Sequence, residues 1–136
     1  MSSPLDRLKD MTPEAPDADE FERLKHAGAI RLPDARNAEN SLETRFDAAY
    51  HAAHFYCLAA VRYRGFRAKN RYIVFQVLPH TLGLGPEVWR VLAKCHEMRN
   101  ASEYHGEFEA DERLVADLIS ACEAVEVKLE DLPPLP

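Results

Sequence analysis

Residues 40–65, NSLETRFDAAYHAAHFYCLAAVRYRG, decide the fold because they encode the longest amphipathic segment of the chain. NSLE at the start is typical of a capping box, which predicts a helix that begins at Leu42. Gly65 suits a helix end, so the helix is expected to run to about Arg64. Apolar side chains recur there at helical spacing and predict one buried stripe: Leu42, Phe46, Ala49, Ala53, Cys57 and Ala60.

The same helix carries apolar residues on a second side. Phe55 and Leu58 lie about 180° and 120° around the helix from Phe46. A helix that is apolar on two sides is either central in its bundle or shared with a second subunit. The sequence therefore predicts a homodimer, with a central helix as the alternative.

Capping residues and apolar periodicity predict further helices on both sides of this segment. Asp17 or Asp19 is expected to start a first helix that Gly28 ends, and Pro79 is expected to kink or end a third. The fold class is predicted as all-α, with about five helices around an up-and-down bundle and no strand. We assign residues 1–18 to a flexible N-terminal arm, 19–130 to the helical domain and 131–136 to a Pro-rich tail.

Composition indicates one soluble globular domain. The 136 residues are 46% hydrophobic and 29% charged, with a net charge of −6. No apolar run approaches the roughly 20 residues that cross a bilayer, and the first ten residues lack a signal-peptide core, so we expect no membrane association and a cytoplasmic location. The three cysteines form no CxxC pair and are predicted to be buried structural thiols.

Five cations fall within ten residues of this acidic chain: Arg62, Arg64, Arg67, Lys69 and Arg71. Tyr63, Phe66 and Tyr72 are interleaved with them, a mixture typical of surfaces that bind single-stranded nucleic acid. The overall acidity argues against a protein that coats nucleic acid by bulk charge. The cations are alternatively a solvated turn that complements the end of the preceding helix, and both interpretations stay open.

A second stretch, RNASEYHG at 99–106, ends the helix that is predicted to open at Pro86. Val88, Leu92 and Cys95 form its apolar stripe, and the next position on that stripe is Arg99. A guanidinium on a core-facing position needs a charge partner, a wet cleft or an interface. An internal salt bridge, for example with Glu103, is one explanation.

The other explanation comes from a resemblance. Arg99, Asn100 and His105 resemble the Arg-x(4–6)-His motif of HEPN domains, which are small helical proteins and in many cases metal-independent endoribonucleases of toxin–antitoxin and defence systems. The resemblance covers about residues 19–129. The commonest form of the motif has four residues between arginine and histidine, a place that Tyr104 occupies here, and His105 comes one position later.

The resemblance implies a dimeric HEPN-like domain with endoribonuclease activity and one composite site built from two motifs. Arg99, Asn100 and His105 would be its catalytic residues. A histidine can act as general acid or base, and an arginine can offset charge on the phosphorane-like transition state. The RNA-binding residues would be Tyr104 and the five cations, Arg62, Arg64, Arg67, Lys69 and Arg71.

The alternative is a non-catalytic HEPN-like module that binds a nucleotide, an RNA or a partner protein. A nucleotidyltransferase or an antitoxin would be such a partner. We expect no cofactor, because the chain has no GxGxxG and no P-loop sequence. We also expect no metal, since His51 and His54 lack an acidic pair that would complete a site.

Overall fold

The computed structural model describes residues 4–105 and 110–136, without the side chains of Arg7 and of residues 102–105. Helices dominate, which confirms the all-α prediction. A 3-10 turn, Pro4–Arg7, and two short strands, β1 (Met11–Pro13) and β2 (Phe66–Ala68), accompany them. The helices are α1 (Ala18–Ala29), α2 (Leu32–Arg36), α3 (Leu42–Tyr63), α4 (Ile73–Gln76), α5 (Leu78–Thr81), α6 (Pro86–His105) and α7 (Glu112–Glu130).

The four long helices α1, α3, α6 and α7 form an up-and-down bundle around α3. Contacts fix their directions. Phe21 of α1 meets Tyr63 near the end of α3, and His96 of α6 meets Tyr50 near its start, so α1 and α6 run antiparallel to α3. Tyr56 donates a hydrogen bond to Glu126, and α7 runs parallel to α3.

The boundaries of α3 follow the local chemistry. Ser41 is the N-cap, and its side-chain oxygen accepts a hydrogen bond from the Thr44 N–H. Gly65, at φ 87°, takes the left-handed conformation that ends the helix. Phe46, Ala49, Ala53, Cys57 and Ala60 of the predicted stripe are buried, and Leu42 is partly buried.

The second apolar side of α3 is covered within one chain. The Arg31 guanidinium lies 4.7 Å from the centre of the Phe55 ring, and Leu58 packs partly buried against the core. Among the described residues only Ile30 and Val127 are large hydrophobic side chains that are mostly exposed. The central-helix alternative accounts for α3, so its two apolar sides give no support for a homodimer.

The described part of residues 1–18, which the sequence predicts as a flexible arm, packs against the rest of the chain. Leu5 and Met11 are buried in the core. Met11–Pro13 pairs antiparallel with Phe66–Ala68, so the prediction of no strand is wrong. The reason is that backbone groups at the turn after α3 need hydrogen-bond partners, and the N-terminal segment supplies them: the Glu14 N–H donates to the Gly65 carbonyl.

The structure adds detail at two predicted ends. Gly28 does not cap α1 but is its penultimate residue, since the helix continues to Ala29. A glycine is needed there because a Cβ would sit 2.7 Å from the Tyr56 ring. In residues 131–136, which were predicted as a Pro-rich tail, Leu132 and Leu135 pack against the core. The Tyr63 hydroxyl donates to the Pro133 carbonyl at 2.7 Å.

The remaining element predictions agree more closely. Pro79 does mark a break: the expected third helix is split into α4 and α5 around Val77. The thiols of Cys57, Cys95 and Cys122 are free and buried, and burial raises the pKa of Cys95 and of Cys122 to about 12. Within residues 4–105 and 110–136, no helix has the length and hydropathy to span a membrane.

Candidate functional site

Arg99 faces the bundle, as its place on the α6 stripe predicts. Val88, Leu92 and Cys95 of that stripe are buried, and the Arg99 side chain is 21% exposed. Its Nε lies 3.4 Å from Oδ1 of Asp47, and its guanidinium carbon lies 5.2 Å from the centre of the Tyr50 ring. The charge is therefore accommodated across the α3–α6 contact by a carboxylate and an aromatic face.

His96, one turn before Arg99, holds the rest of this arrangement together. Its Nδ1 lies 2.7 Å from the Tyr50 hydroxyl, and its Nε2 lies 3.0 Å from Nδ2 of Asn100. Because an amide nitrogen can only donate, Nε2 is the acceptor in this orientation, and the Nδ1–H donates to the Tyr50 oxygen. We call Asp47, Tyr50, His96, Arg99 and Asn100 the Arg99 cluster.

The Arg99 cluster combines groups that suit a phosphate. It offers a guanidinium for charge, an imidazole that can exchange protons, a phenol and an amide for hydrogen bonds. Asp47 is the one acid in it, and its side chain is 58% exposed. An ion pair at 3.4 Å with a mostly exposed carboxylate is weak, so an incoming anion can compete with Asp47 for the guanidinium.

His105 and Tyr104, the two candidates for the motif histidine, have side chains outside the described residues. The backbone of α6 is helical through His105. Six residues of continuous helix correspond to a net rotation of about 240°, so positions 99 and 105 lie on different sides of α6. For Arg99 and His105 of one chain to reach the same phosphate, the end of α6 would have to be unwound. The described α6 is helical through His105.

The basic segment 62–71 does not act as one surface. Arg62 is 2% exposed, and this burial argues against the RNA contact that the sequence predicts for it. Its Nε donates to the Glu20 carboxylate and one terminal nitrogen lies 3.4 Å from Glu14. The other terminal donors reach the backbone carbonyls of Glu14, Ala15 and Phe66 at 2.8–3.1 Å. Every side of this guanidinium is occupied by its own chain.

Arg67 is committed to the same two acids. It is hydrogen-bonded to both Glu14 and Glu20, and these bonds raise the pKa of Arg67. The hydrogen bond from Arg67 lowers the pKa of Glu14, and that from Arg62 lowers the pKa of Glu20. Arg67, whose side chain is 44% exposed, is thus paired with two acids of its own chain.

The other three cations of the segment are exposed. Arg64 donates from Nε to the Thr81 carbonyl at 2.9 Å and lies over its neighbour Tyr63. Lys69 and Arg71 form no ion pair with any carboxylate in the described part of the chain. Only this end of the segment retains the character that an RNA contact requires.

Sequence reasoning missed Asp47, Tyr50 and His96 as site residues. A signal was present, since His96 precedes Arg99 by three residues and Asn100 by four, which places the three on one side of a helix. Asp47 and Tyr50 are likewise three apart on α3. That these two helix faces meet is a tertiary contact between residues 46 to 52 positions apart, and no local pattern encodes it.

The chain was also compared with known families, proteins and structures. No family model, curated protein or solved structure matches this chain. Within the described ranges, no three His, Cys, Asp or Glu side chains are grouped so that they could hold a metal ion.

Proposed function

We propose that this chain is a HEPN-like helical domain that acts on RNA at the Arg99 cluster, with metal-independent endoribonuclease activity as its first function. One observation carries the proposal: Arg99 and Asn100, the arginine and polar residue of the motif, meet an imidazole and a phenol at a partly open α3–α6 contact. Their place late in α6, followed by one more long helix, is consistent with the resemblance.

The chemistry that this set supports is internal transesterification. The 2′-hydroxyl attacks the adjacent phosphorus, so that a 2′-O–P bond forms while the P–O5′ bond breaks. A base removes the 2′ proton and an acid protonates the leaving 5′ oxygen, which yields a 2′,3′-cyclic phosphate. Arg99 would offset the charge on the non-bridging oxygens, and His96 or His105 would move the protons.

The resemblance also implies a homodimer in which each copy contributes one motif. A second copy is the natural source of His105 for this site, because α6 turns position 105 away from Arg99 of its own chain. In that arrangement His96 would hold Tyr50 and Asn100 in place, and His105 of the second copy would reach the phosphate.

A non-catalytic module is the second candidate. It is favoured by the unbroken α6 and by the contact of Arg99 with Asp47 of the same chain. Such a module would use the Arg99 cluster to bind RNA, a nucleotide or a phosphorylated group on a partner such as a nucleotidyltransferase or an antitoxin, without cleavage.

The test is cleavage of a labelled RNA in EDTA, with DNA of the same sequence as the control substrate. We expect cut RNA with 2′,3′-cyclic phosphate ends and intact DNA. Arg99→Gln should lower the rate about 10²–10³-fold, the usual cost of one transition-state donor. His96→Gln and His105→Gln identify the proton-transfer group, whose loss costs about 10²–10⁴-fold.

Tyr104→Phe removes only a hydroxyl at the position where the commoner form of the motif has histidine. It is the matched control for His105→Gln. RNA binding without cleavage, lost in Arg99→Gln, would establish the non-catalytic candidate. A protein that neither binds nor cuts RNA contradicts both candidates.

A further inference from the structure

We propose that the cavity lined by His54, Lys69, Asn70 and Arg71 is a subsite for a second phosphate of the RNA strand that engages the Arg99 cluster; this inference rests on the proposed function. Leu58, Ala68 and Val74 form the apolar part of its wall. Its volume of about 180 Å³ is several times the roughly 30 Å³ that one water molecule occupies in the liquid.

The polar lining of this cavity consists of hydrogen-bond donors. Lys69 and Arg71 are exposed cations without a carboxylate partner among the described residues, in contrast to Arg62 and Arg67. Oδ1 of Asn70 accepts from the Ile73 N–H at 2.9 Å, which leaves its amide N–H groups for a ligand. No acid lines the cavity, so its chemistry selects an anion.

His54 adds a neutral donor to this set. The pKa of His54 is lowered to about 4, chiefly by burial and, to a smaller extent, by the charges of Arg71, His51 and His96. Near neutral pH the ring is uncharged and can donate one N–H to a phosphate oxygen. His54 and Arg71 line the same cavity, so both can act on one ligand there.

The cavity and the Arg99 cluster lie along one side of α3. Asp47, Tyr50, His54 and Leu58 recur there at intervals of three or four residues. At 1.5 Å per residue, Asp47 and His54 are about 10 Å apart along the helix, a distance that a short oligonucleotide spans. Tyr72 follows Arg71 in the chain, is half-buried, and its ring centre lies 5.3 Å from that of His96 in the Arg99 cluster.

The experiment compares the full-length protein with Lys69→Gln/Arg71→Gln. Inorganic phosphate is titrated while the imidazole signals of His54 are followed by NMR, and anisotropy of a labelled oligouridine gives RNA affinity across a salt series. We expect the His54 signals to move with phosphate only when both cations are present. The salt slope for RNA should fall by about 0.7 in the double variant, the value for one phosphate contact with a single strand.

Arg23→Gln/Lys128→Gln is the matched control, since it removes the same charge from exposed positions on α1 and α7. His54 signals that ignore phosphate, or a salt slope no lower than that of the control, would overturn the subsite. So would a protein that binds phosphate at His54 but binds no RNA.

The two proposals fail in different ways. Cleavage that depends on Arg99, with unchanged RNA affinity in the double variant, would remove the subsite and keep the ribonuclease. Weakened RNA binding in the double variant of a protein that never cleaves would keep the subsite and remove the ribonuclease.

Discussion

Arg62 and Arg99 both lie on the side of a long helix that faces the interior of the bundle, but the two guanidinium groups differ in exposure and in their partners. Arg62 is 2% exposed and is held by two carboxylates and three backbone carbonyls. The Arg99 side chain is 21% exposed and meets one exposed carboxylate at 3.4 Å and the face of Tyr50. A guanidinium saturated by its own chain supports the fold, whereas one with an exposed partner can exchange it for an external anion.

The comparison also explains the order of the N-terminal segment. Two of the acceptors of Arg62 are the carbonyls of Glu14 and Ala15, which lie between β1 and α1. Glu20, another acceptor, lies in the first turns of α1. Arg62 therefore fastens residues 14–20 to the end of α3, next to the place where β1 pairs with β2.

The largest expected effect separates the two arginines by stability. Arg62→Gln should lower the free energy of unfolding by about 3–5 kcal/mol, the usual cost of breaking a buried ion pair. Arg99→Gln should cost about 1 kcal/mol or less, because its ion pair is long and its partner Asp47 is mostly exposed. Urea unfolding followed by circular dichroism measures both values.

Arg23→Gln is the control for this pair, since Arg23 is an exposed arginine on α1. Equal losses for Arg62→Gln and Arg99→Gln would contradict the distinction between a structural and an exchangeable arginine.

Much of the fold could be predicted because its signals are local. The apolar stripe of α3 lies within one helix, and Ser41 caps α3 directly before its predicted start at Leu42. Strand β1 is three residues long and exists only because β2 offers it a partner 55 positions away. Three residues are too few for an alternation of apolar and polar side chains to predict such a strand.

The site was predicted less completely for the same reason. Arg99 was found because its position on the α6 stripe is a local anomaly. Arg62 looked like a surface cation because its acceptors Glu14 and Glu20 are 42 to 48 residues away. Composition shows five cations, and only the tertiary structure shows which of them are already paired.

A second prediction sharpens the structural side of the comparison. The hydrogen bond from Arg62 lowers the pKa of Glu20 below its usual 4.5. Its stabilising contribution is therefore complete above pH about 4.5 and is lost as pH falls through the lowered pKa. Glu20→Gln should cost about 1–3 kcal/mol near neutral pH, because a buried charge loses an ionised acceptor, and much less at low pH.

Urea unfolding of wild type and Glu20→Gln from neutral pH down to about pH 3 measures the difference. The low pKa of His54 destabilises both proteins on acidification, so it cancels when the two curves are subtracted. A difference that stays constant over this range would mean that Glu20 does not hold Arg62 as an ionised partner.

The smallest effect probes the exchangeable side through two tyrosines of α3. Tyr50→Phe keeps the ring beneath Arg99 but removes the hydroxyl that His96 contacts, and Tyr56→Phe removes a hydroxyl that donates to Glu126. Each should cost about 1 kcal/mol, the net value of one hydrogen bond.

The two variants should differ at the Arg99 cluster. Only Tyr50→Phe should move the NMR signals of the His96 ring and weaken RNA binding, because only it frees His96 and, through it, Asn100. If Tyr56→Phe disturbs His96 as much, or Tyr50→Phe leaves it unchanged, then Tyr50 does not position the cluster and Arg99 is held by Asp47 and the ring alone.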